Sequence, residues 1–577
     1  MIVPMKRLFL LCVSADAERT LGSLRDLGAV HLDRTAEVGT GCAAAMLALE
    51  RAERAVRIVE KAAKGREGVA ASVAPLDSAD AVLALDAKRE TLEGEAGALK
   101  AAVRRYAPFG DFDPALAKQL EAAGVKLFLR DDGSFELLYG DATPEDRPGT
   151  HPVPLPEERL GVLQERLAET ERQIAALTDE LASANLAAIR ETFPGLREDV
   201  AFAAARDEMA ANRVNVDEAD AHAPTPLLAL VRGWIPADGV EALGAAAKAN
   251  GWGIALRDPL EGETPPTLIR PPKVFRPVLA LFEGLGIAPA YTESDVSVPF
   301  LCYFALFTAM LVGDGGYGAL VLALTFLGWR KYRKGAAGPS AARTLMKSWL
   351  VLLTVFSSAT IVWGTLSNTW FGAGLPFAAE WPTVKWLGDP TYNNMMFLCF
   401  TIGVSHLVLA RLWNGICMAN SAACLPEFGW AGILVFMYFV VNAIVGISSG
   451  VPAWSYWLFG ASLALVIAKT RGVALGMLPL NVMSAMGDII SYVRLFAVGY
   501  ASLQVAQNFN RMALELDLPT WGKIVPMVCI LLIGHGINFV LAGLSVLVHA
   551  VRLNTLEFSN HKGLTWSGYA FSPFKKH

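Results

Sequence analysis

The sequence is poor in charged residues. Only 18% of its 577 residues are Asp, Glu, Lys or Arg, whereas an ordinary soluble domain carries about 25%. The deficit is uneven, because residues 1 to about 290 are rich in Ala, Glu and Arg, while long apolar runs dominate from about 296 to 552. This division predicts a water-soluble part, 1–290, followed by a membrane-spanning part, 291–577.

Several signals of function are absent. The net charge of −5 argues against nucleic acid as a partner. The seven cysteines form no CxxC pair and at least four lie in apolar runs, so we expect neither a disulfide framework nor a metal site. The sequence contains no GxxxxGK followed by Ser or Thr, so we expect no P-loop nucleotide site and no bound cofactor.

The beginning of the chain predicts an α+β lobe, with a strand at 6–14, an amphipathic helix at 17–27 and a second strand at 28–32. The first apolar run is assigned to a strand and not to a signal peptide, because an acidic helical stretch follows it where a cleavage site would stand. Residues 225–253 predict a second small α+β lobe, and the Pro-rich stretch 263–277 predicts a linker into the membrane.

Three helical segments lie between these lobes, at 41–64, at 79–106 and from Leu160 onward. Small and apolar residues recur at alternating spacings of three and four along the third segment, at Leu160, Leu163, Leu167, Thr170, Ile174, Leu177, Leu181 and Ala184. This pattern predicts a coiled coil that pairs with 79–106 as an antiparallel hairpin, and an ordinary amphipathic helix is the alternative. Residues 107–156, with strands at 125–129 and 135–139, predict a small lobe at one end of that hairpin.

The second half contains eight apolar segments, and a spanning helix needs about 20 apolar residues. The segments are 297–313, 316–330, 345–366, 393–414, 428–448, 453–469, 475–509 and 523–552. We therefore predict a mainly α-helical membrane protein with about eight spans, of which the last two form a long tilted pair. The first two segments are short and are separated by the sequence GDGGYG, so one re-entrant hairpin and seven spans are the alternative.

The orientation follows from the distribution of Lys and Arg. Six basic residues follow the second segment, namely Arg330, Lys331, Arg333, Lys334, Arg343 and Lys347, whereas 367–392 contains only Lys385. Basic loops stay in the cytoplasm. With eight spans both termini are then cytoplasmic, and Lys575 and Lys576 agree with this orientation.

Polar residues inside apolar segments are candidates for function, because charge in hydrocarbon costs several kcal/mol. Arg494 lies far from either end of its segment, although an arginine that snorkels to the interface is the alternative. On a helix of 100° per residue its face carries Gly487, Ser491, Val498, Ala501, Val505 and Asn508, which suits close approach of another helix. Weaker candidates are Asp314, Ser405, His406, Asp488 and His535.

The last segment carries a polar face of its own. Gly534, Asn538, Ser545, His549 and Arg552 share one side of a regular helix, which predicts a water-lined path. Hydrogen bonds between helices are the alternative for Asn538 and Ser545, and snorkelling is the alternative for Arg552.

The chain resembles a known family, the membrane stator subunit of rotary V-type and A-type ATPases, called subunit a or subunit I. The resemblance covers nearly the whole length and begins with MKRLFLLCVSADAERTLGSLRDLGAVHL. It continues through FTAMLVGDGGYGALVL, WGTLSNTWFG and IGVSHLVLARLWNGI, and it is most specific in SYVRLFAVGYASLQVAQ and VLVHAVRLNTLEFSNHKGLTWSGYAFSPF.

The resemblance carries roles over to individual residues. The family's essential arginine, in an SYxRL motif with Leu or Val at x, matches Arg494, and a second arginine in an HAxRL motif matches Arg552. A family Gln matches Gln504 and a family Glu matches Glu557. Two polar positions of eukaryotic members are not matched, because Ser502 and Ala542 stand where those members have His and Glu.

The resemblance implies a stator subunit that forms two ion half-channels against a rotating proteolipid ring and couples proton translocation to ATP hydrolysis or synthesis. Candidate lining residues are Ser491, Gln504, Asn538, Ser545, His549 and Glu557. The implied partners are the ring, peripheral stalk subunits, a central-stalk-associated subunit and lipid, in a prokaryotic plasma membrane. The subunit itself is not an enzyme. An ion-coupled secondary transporter is the alternative, although the membrane half shows no internal repeat.

Overall fold

A computed structural model describes residues 1–576 except 34–38, 65–75, 108–109, 112, 131–134, 140–149, 154–156, 215–227, 335–340 and 517–518. The strands are β1 (Met5–Val13), β2 (His31–Leu32), β3 (Val125–Arg130), β4 (Phe135–Tyr139), β5 (Thr150–Val153), β6 (Arg213–Val214), β7 (Leu228–Pro236) and β8 (Gly253–Arg257). The helices of the first half are α1 (Ala17–Leu27), α2 (Thr40–Ala63), α3 (Ala79–Tyr106), α4 (Pro114–Ala122), α5 (Leu160–Ala182), α6 (Leu186–Glu191), α7 (Phe193–Ala211), α8 (Val240–Asn250) and α9 (Val278–Leu285).

The second half is helical. Its helices are α10 (Ser297–Val312), α11 (Gly315–Lys334), α12 (Ala341–Leu366), α13 (Pro382–Leu387), α14 (Asn393–Cys417), α15 (Cys424–Ile444), α16 (Ala453–Ile467), α17 (Val473–Gly476), α18 (Leu478–Ile490), α19 (Val493–Leu514), α20 (Thr520–Ser545) and α21 (Ser559–Lys562). Between α20 and α21 the chain forms two π-helical segments, Val546–Ala550 and Leu553–Phe558.

Strands from the beginning of the chain and from residues 228–257 form one sheet, so the prediction of separate lobes at the beginning of the chain and at 225–253 is wrong; residues 225–227 lie outside the described residues. Strand β1 pairs antiparallel with β7, from Met5 opposite Pro236 to Val13 opposite Leu228, and pairs on its other side with β8. Strands β2 and β6 both pair with β7. A strand as long and apolar as β1 would expose two unpaired edges in a lobe of its own, and β7 and β8 cover both.

A separate three-stranded sheet has the order β4-β3-β5. Strands β3 and β4 occupy the segments that the sequence predicts, and β5 adds a strand that the prediction lacks. Residues 131–134 and 140–149 of this region lie outside the described residues.

Helices α3 and α5 run antiparallel. Val82, near the start of α3, and Leu181, near the end of α5, are fully buried in the same apolar cluster, and Lys100 Nζ lies 2.7 Å from Glu171 Oε1 between the same helices. Within the predicted seam, Leu163, Thr170, Leu177 and Leu181 are buried. The hairpin continues beyond the predicted segment, because α7 packs against α2 and Asp207 Oδ2 accepts a hydrogen bond from Cys42 N at 2.8 Å.

We expect an intramolecular crosslink across this hairpin. A Lys100→Cys, Glu171→Cys chain treated with a short bifunctional thiol reagent should shift on a reducing gel as a monomer, because the two side chains already form an ion pair. Pairing Lys100→Cys with Glu165→Cys supplies the control, since six residues of helix turn that position by about 120° and move it about 9 Å along the axis. Products that form only between chains would show that two copies associate here and that the hairpin is wrong.

Each of the eight predicted apolar segments contains a helix, but not every helix meets the criteria for a span. Within the described residues, five helical stretches are long and apolar enough, and the pair α10–α11, bent by 120°, raises the number to six if it counts as one span. The bend lies at Gly313, where φ is +68°, a conformation that glycine adopts without strain. Since α16 has only 15 residues, length and composition do not support the predicted count of eight.

The C-terminal tail joins the two halves of the molecule. Phe574 is buried in the apolar core of the five-stranded sheet, and its N–H donates to Val30 O at 2.8 Å. Trp566 packs edge-on against Phe282 and Phe300, and its indole N–H donates to Ser559 Oγ at 2.7 Å. The C-terminal tail is therefore held at Trp566 and at Phe574.

The connection out of β8 is fixed by a two-pronged ion pair. Arg257 reaches both carboxylate oxygens of Glu263, at 2.5 and 2.8 Å, and Leu260 N donates to the same carboxylate at 3.0 Å. These bonds stabilise the charged form, so the Arg257 guanidinium and then the Leu260 N–H lower the pKa of Glu263 to about 2.

Candidate functional site

Arg494 lies beside a break in a long helical span. The stretch Leu478–Leu514 is interrupted at 491–492, where Leu495 N bonds to Tyr492 O in a tighter turn, and Ser491 O accepts from Arg494 N at 3.3 Å. Arg494 Nε donates to that carbonyl at 2.9 Å. The break thus holds the guanidinium close to its own helix, with 23% of the side chain exposed.

Glu557 is the common partner of both predicted arginines. Its Oε1 lies 2.5 Å from Arg494 Nη2 and 3.5 Å from Arg552 Nε, and its side chain is only 5% exposed. Its second oxygen, Oε2, is buried and has no hydrogen-bond partner among the described residues. A carboxylate buried to this degree is favourable only when paired, so we regard Arg494, Glu557 and Arg552 as one charged centre, in which Arg552 is the most exposed member at 54%.

The π-helical segments decide how the end of the last helix faces that centre. A π turn contains more residues than an α turn, so side chains beyond it rotate away from the positions that a regular helix predicts. Glu557 belongs to the second of these segments, Leu553–Phe558. A plot that assumes a regular α-helix therefore describes the faces of the last span only from Thr520 to Ser545, where α20 ends.

The predicted lining residues lie in different environments. The Ser491 hydroxyl bonds to its own helix at Gly487 O, at 3.1 Å, and the Ser545 hydroxyl does the same at Leu541 O, at 2.7 Å. His549 is half-buried, and its buried Nδ1 has no partner among the described residues. Ser491 thus reaches the charged centre through its backbone carbonyl, and His549 presents an unpaired ring nitrogen on the helix that carries Arg552.

Asn538 belongs to a second polar cluster, between α11, α19 and α20. It accepts from Ser502 Oγ at 3.1 Å and donates to Tyr317 Oη at 3.0 Å. Tyr317 Oη lies 2.8 Å from His535 Nδ1, and His535 Nε2 lies 3.0 Å from Asn510 Oδ1. The Ser502 hydroxyl and the Asn538 amide supply polar groups at this point of α19 and α20.

Asp314, one of the weaker candidates from the sequence, binds backbone N–H groups and holds two parts of the chain together. The buried carboxylate accepts hydrogen bonds from Gly316 N at 2.7 Å and from Phe371 N and Gly372 N at 2.8 Å. Backbone N–H groups therefore saturate it, and it fixes the bend between α10 and α11 against the loop after α12.

Gln504 lines a cavity of about 270 Å³ on another side of α19. Ser367, Thr369, Tyr392, Tyr500 and Gln507 supply further polar groups, and the hydroxyls of Tyr392 and Tyr500 lie 2.8 Å apart. Several of these residues come from 363–392, the region with a single basic residue.

A third polar cluster anchors α21 to the ends of α14, α15 and α18. His561 Nε2 lies 3.0 Å from Asp488 Oδ2, and its Nδ1 lies 3.2 Å from Arg411 Nε. Arg411 also pairs with Glu427 at 3.1 Å. Asp488 thus belongs to this anchor and makes no bond to Arg494, and sequence reasoning missed His561, Arg411 and Glu427 because charges at helix ends are common.

Taken together, these features define a polytopic helical membrane protein whose charged centre lies between its two longest helical spans. Among the described residues, no group of three or more His, Cys, Asp or Glu side chains could hold a metal ion.

Sequence comparison places this architecture in a family. The chain is 30% identical to V-type ATP synthase subunit I 1 of Treponema pallidum (strain Nichols), over the full length of both chains. It is 32% identical to V-type ATP synthase subunit I of Borreliella burgdorferi, over 60% of each chain. It is 26% identical to A-type ATP synthase subunit I of Methanocaldococcus jannaschii, over 60% of this chain and 54% of the relative. No family model matches the chain.

The chain belongs to the V-type/A-type ATP synthase subunit I family. It is therefore a membrane subunit of a rotary ATPase, and its partners include other subunits of that complex. Family membership leaves the secondary-transporter alternative without support.

Proposed function

We propose that this chain is the stator that forms two ion half-channels against a rotating ring of small membrane subunits. In this proposal residues 291–577 translocate the ion, and residues 1–290 lie in the cytoplasm, where the hairpin and sheet bind the peripheral stalks and a central-stalk-associated subunit. The observation that carries the proposal is that Arg494, in the middle of a 37-residue span, pairs with the buried carboxylate of Glu557 on the next span.

The guanidinium of Arg494 has donors to spare. It carries five N–H groups, and the described residues engage only Nε and Nη2, at Ser491 O and Glu557 Oε1. The remaining donors can bind a carboxylate on a ring subunit and favour its ionised form. Because guanidinium stays protonated at any relevant pH, it also blocks direct passage of a proton between the two half-channels.

Glu557 supplies the countercharge when no ring carboxylate is present. A guanidinium left unpaired inside a membrane costs several kcal/mol. The Glu557 carboxylate, held in turn by Arg552, keeps Arg494 paired between successive ring subunits. Removal of an ion from a ring subunit then exchanges one partner of Arg494 for another and avoids an isolated buried charge.

The two half-channels are assigned to opposite ends of the last two spans. In this assignment Arg552, His549 and Ser545 lie along the cytoplasmic path, where the Arg552 side chain is 54% exposed. Gln504 in its cavity and the cluster around Asn538 line the path from the other side. With both termini cytoplasmic, the basic loop after α11 faces the cytoplasm, although its residues 335–340 lie outside the described part of the chain.

Cysteine accessibility tests the cytoplasmic path. Single cysteines at Ser545 and His549, in a chain freed of its other reactive cysteines, should react with a water-soluble thiol reagent added from the cytoplasmic side. Leu547→Cys, on the face that turns an apolar side chain outward, should stay unmodified, because thiolate forms poorly away from water. Equal rates at all three positions would show that this face does not line a half-channel.

A further inference from the structure

A buried imidazole lies directly behind the charged centre. His406, in the middle of α14, is fully buried. Its ring stacks on Tyr303 at a centroid distance of 4.1 Å and on Phe558 at 4.4 Å, from opposite directions in the aromatic cluster. Its Nδ1 lies 2.8 Å from Tyr492 Oη. None of these contacts includes Arg494 or Glu557 themselves.

Two of the three neighbours of His406, Tyr492 and Phe558, belong to the segments that present the ion pair. Tyr492 occupies the helix break, two residues before Arg494, and Phe558 directly follows Glu557. The His406 imidazole, which belongs to α14, therefore connects two other segments. It hydrogen-bonds to Tyr492 at the start of α19, and it stacks on Phe558 in the last π-helical segment. Arg494 and Glu557 are 63 residues apart in sequence, so their separation depends on such a cross-connection.

The packing around Tyr492 leaves its ring little freedom. Tyr492 is fully buried, and a Cβ added at Gly403, one turn before His406, would come within 2.5 Å of Tyr492 Cγ. Glycine at 403 thus lets the tyrosine ring lie directly against α14. In this position the Tyr492 hydroxyl lies 2.8 Å from His406 Nδ1.

We propose that His406 is a positioning residue that sets the distance between Arg494 and Glu557 through Tyr492 and Phe558. The inference rests on the proposed function and adds the device that fixes its central ion pair. If the hydrogen bond is lost, the helix break can shift, and the guanidinium no longer closes the direct route between the half-channels. The expected consequence is an ion leak, with the complex still assembled and still hydrolysing ATP.

The test compares ions pumped per ATP hydrolysed in the whole rotary complex, reconstituted in vesicles. Tyr492→Phe removes one oxygen, and His406→Phe keeps the aromatic stack while removing the ring nitrogen. Each should lower the ratio about three- to tenfold, the range expected for one buried hydrogen bond. The double variant should be no worse than either single one, because both changes remove the same bond. His406→Asn, whose amide can replace Nδ1, should restore part of the ratio.

A matched control removes another tyrosine hydrogen bond from the same helix. Thr401, also on α14, lies 2.9 Å from Tyr438 Oη, away from the charged centre, and Tyr438→Phe should leave the ratio unchanged. If the complex with His406→Phe fails to assemble, the ratio measured with Tyr492→Phe tests the positioning role, because that variant removes the same hydrogen bond.

Two outcomes would overturn the positioning role of His406, and one would also overturn the proposed stator function. Tyr492→Phe with a wild-type ratio, or a loss of assembly and hydrolysis with the ratio unchanged, shows that the pair only supports folding. Measuring Arg494→Ala in the same vesicles tests the proposed function separately from the positioning role of His406. If that variant does not pump while Tyr492→Phe pumps normally, only the positioning role is wrong, and if Arg494→Ala pumps normally, the proposed function is wrong as well.

Discussion

Arg494→Ala should abolish ATP-driven ion pumping while most of the complex still assembles. Removal of the guanidinium takes away both the partner of a ring carboxylate and the barrier between the half-channels, and it leaves Glu557 with Arg552 alone at 3.5 Å. Breaking a buried ion pair costs about 3–5 kcal/mol, which corresponds to a loss of about a hundredfold or more. Pumping in vesicles, normalised to assembled complex, measures the effect.

Arg494→Lys should fail almost as severely. An ammonium is more strongly hydrated than a guanidinium, it can lose its proton when buried, and it cannot reach Ser491 O and Glu557 with the same planar geometry. Arg511→Ala provides the control, because Arg511 is exposed in the last turn of the same helix. Normal pumping by either Arg494 variant would refute the assigned role.

Glu557→Gln should be the most damaging change outside Arg494. The amide keeps the size of the side chain but leaves two guanidinium groups next to each other without a countercharge, at positions now bonded to Oε1 at 2.5 and 3.5 Å. Like charges in a low dielectric repel strongly. Because both arginines are partly exposed, the cost is smaller than for a fully buried pair, and we expect at least about a tenfold loss of pumping per assembled complex.

The comparison for Glu557 is a second ion pair, whose arginine is buried to a similar degree and whose carboxylate, Glu427, is 18% exposed. Glu427→Gln removes the partner of Arg411 in the cluster around α21, so it should reduce the amount of assembled subunit and leave pumping per complex nearly unchanged. Equal effects of the two substitutions on pumping per complex would mean that Glu557 stabilises the fold only.

Local patterns predicted most of the individual elements. The strand at 6–14, the helix at 17–27 and the helices at 41–64 and 79–106 agree with the structure to within one residue at each end, because periodicity and capping act over a few residues. An arginine inside an apolar segment was recognisable for the same reason, since its cost depends on its immediate surroundings.

Pairings between distant segments were beyond such patterns. Nothing local in β1 indicates that β7, more than 200 residues later, is its neighbour, so one sheet was divided into two lobes. The face of the last span was predicted on a regular helix, and the π-helical segments at Val546–Ala550 and Leu553–Phe558 rotate the residues beyond Ser545. A π turn has no sequence signal of its own, because packing against neighbouring helices stabilises it.

The sequence by itself predicted a soluble half and a membrane half, it determined that Arg494 lies inside a long apolar stretch, and it indicated which family the motifs resemble. Only the tertiary structure decided that Glu557 binds both arginines, that His406 and Tyr492 lie behind them, and that the C-terminal tail enters the core of the first sheet. The physical reason is the range of the interactions. Hydrophobic burial and helix formation are set by nearby residues, whereas an ion pair or an aromatic stack requires two segments that only the folded chain brings within a few ångströms.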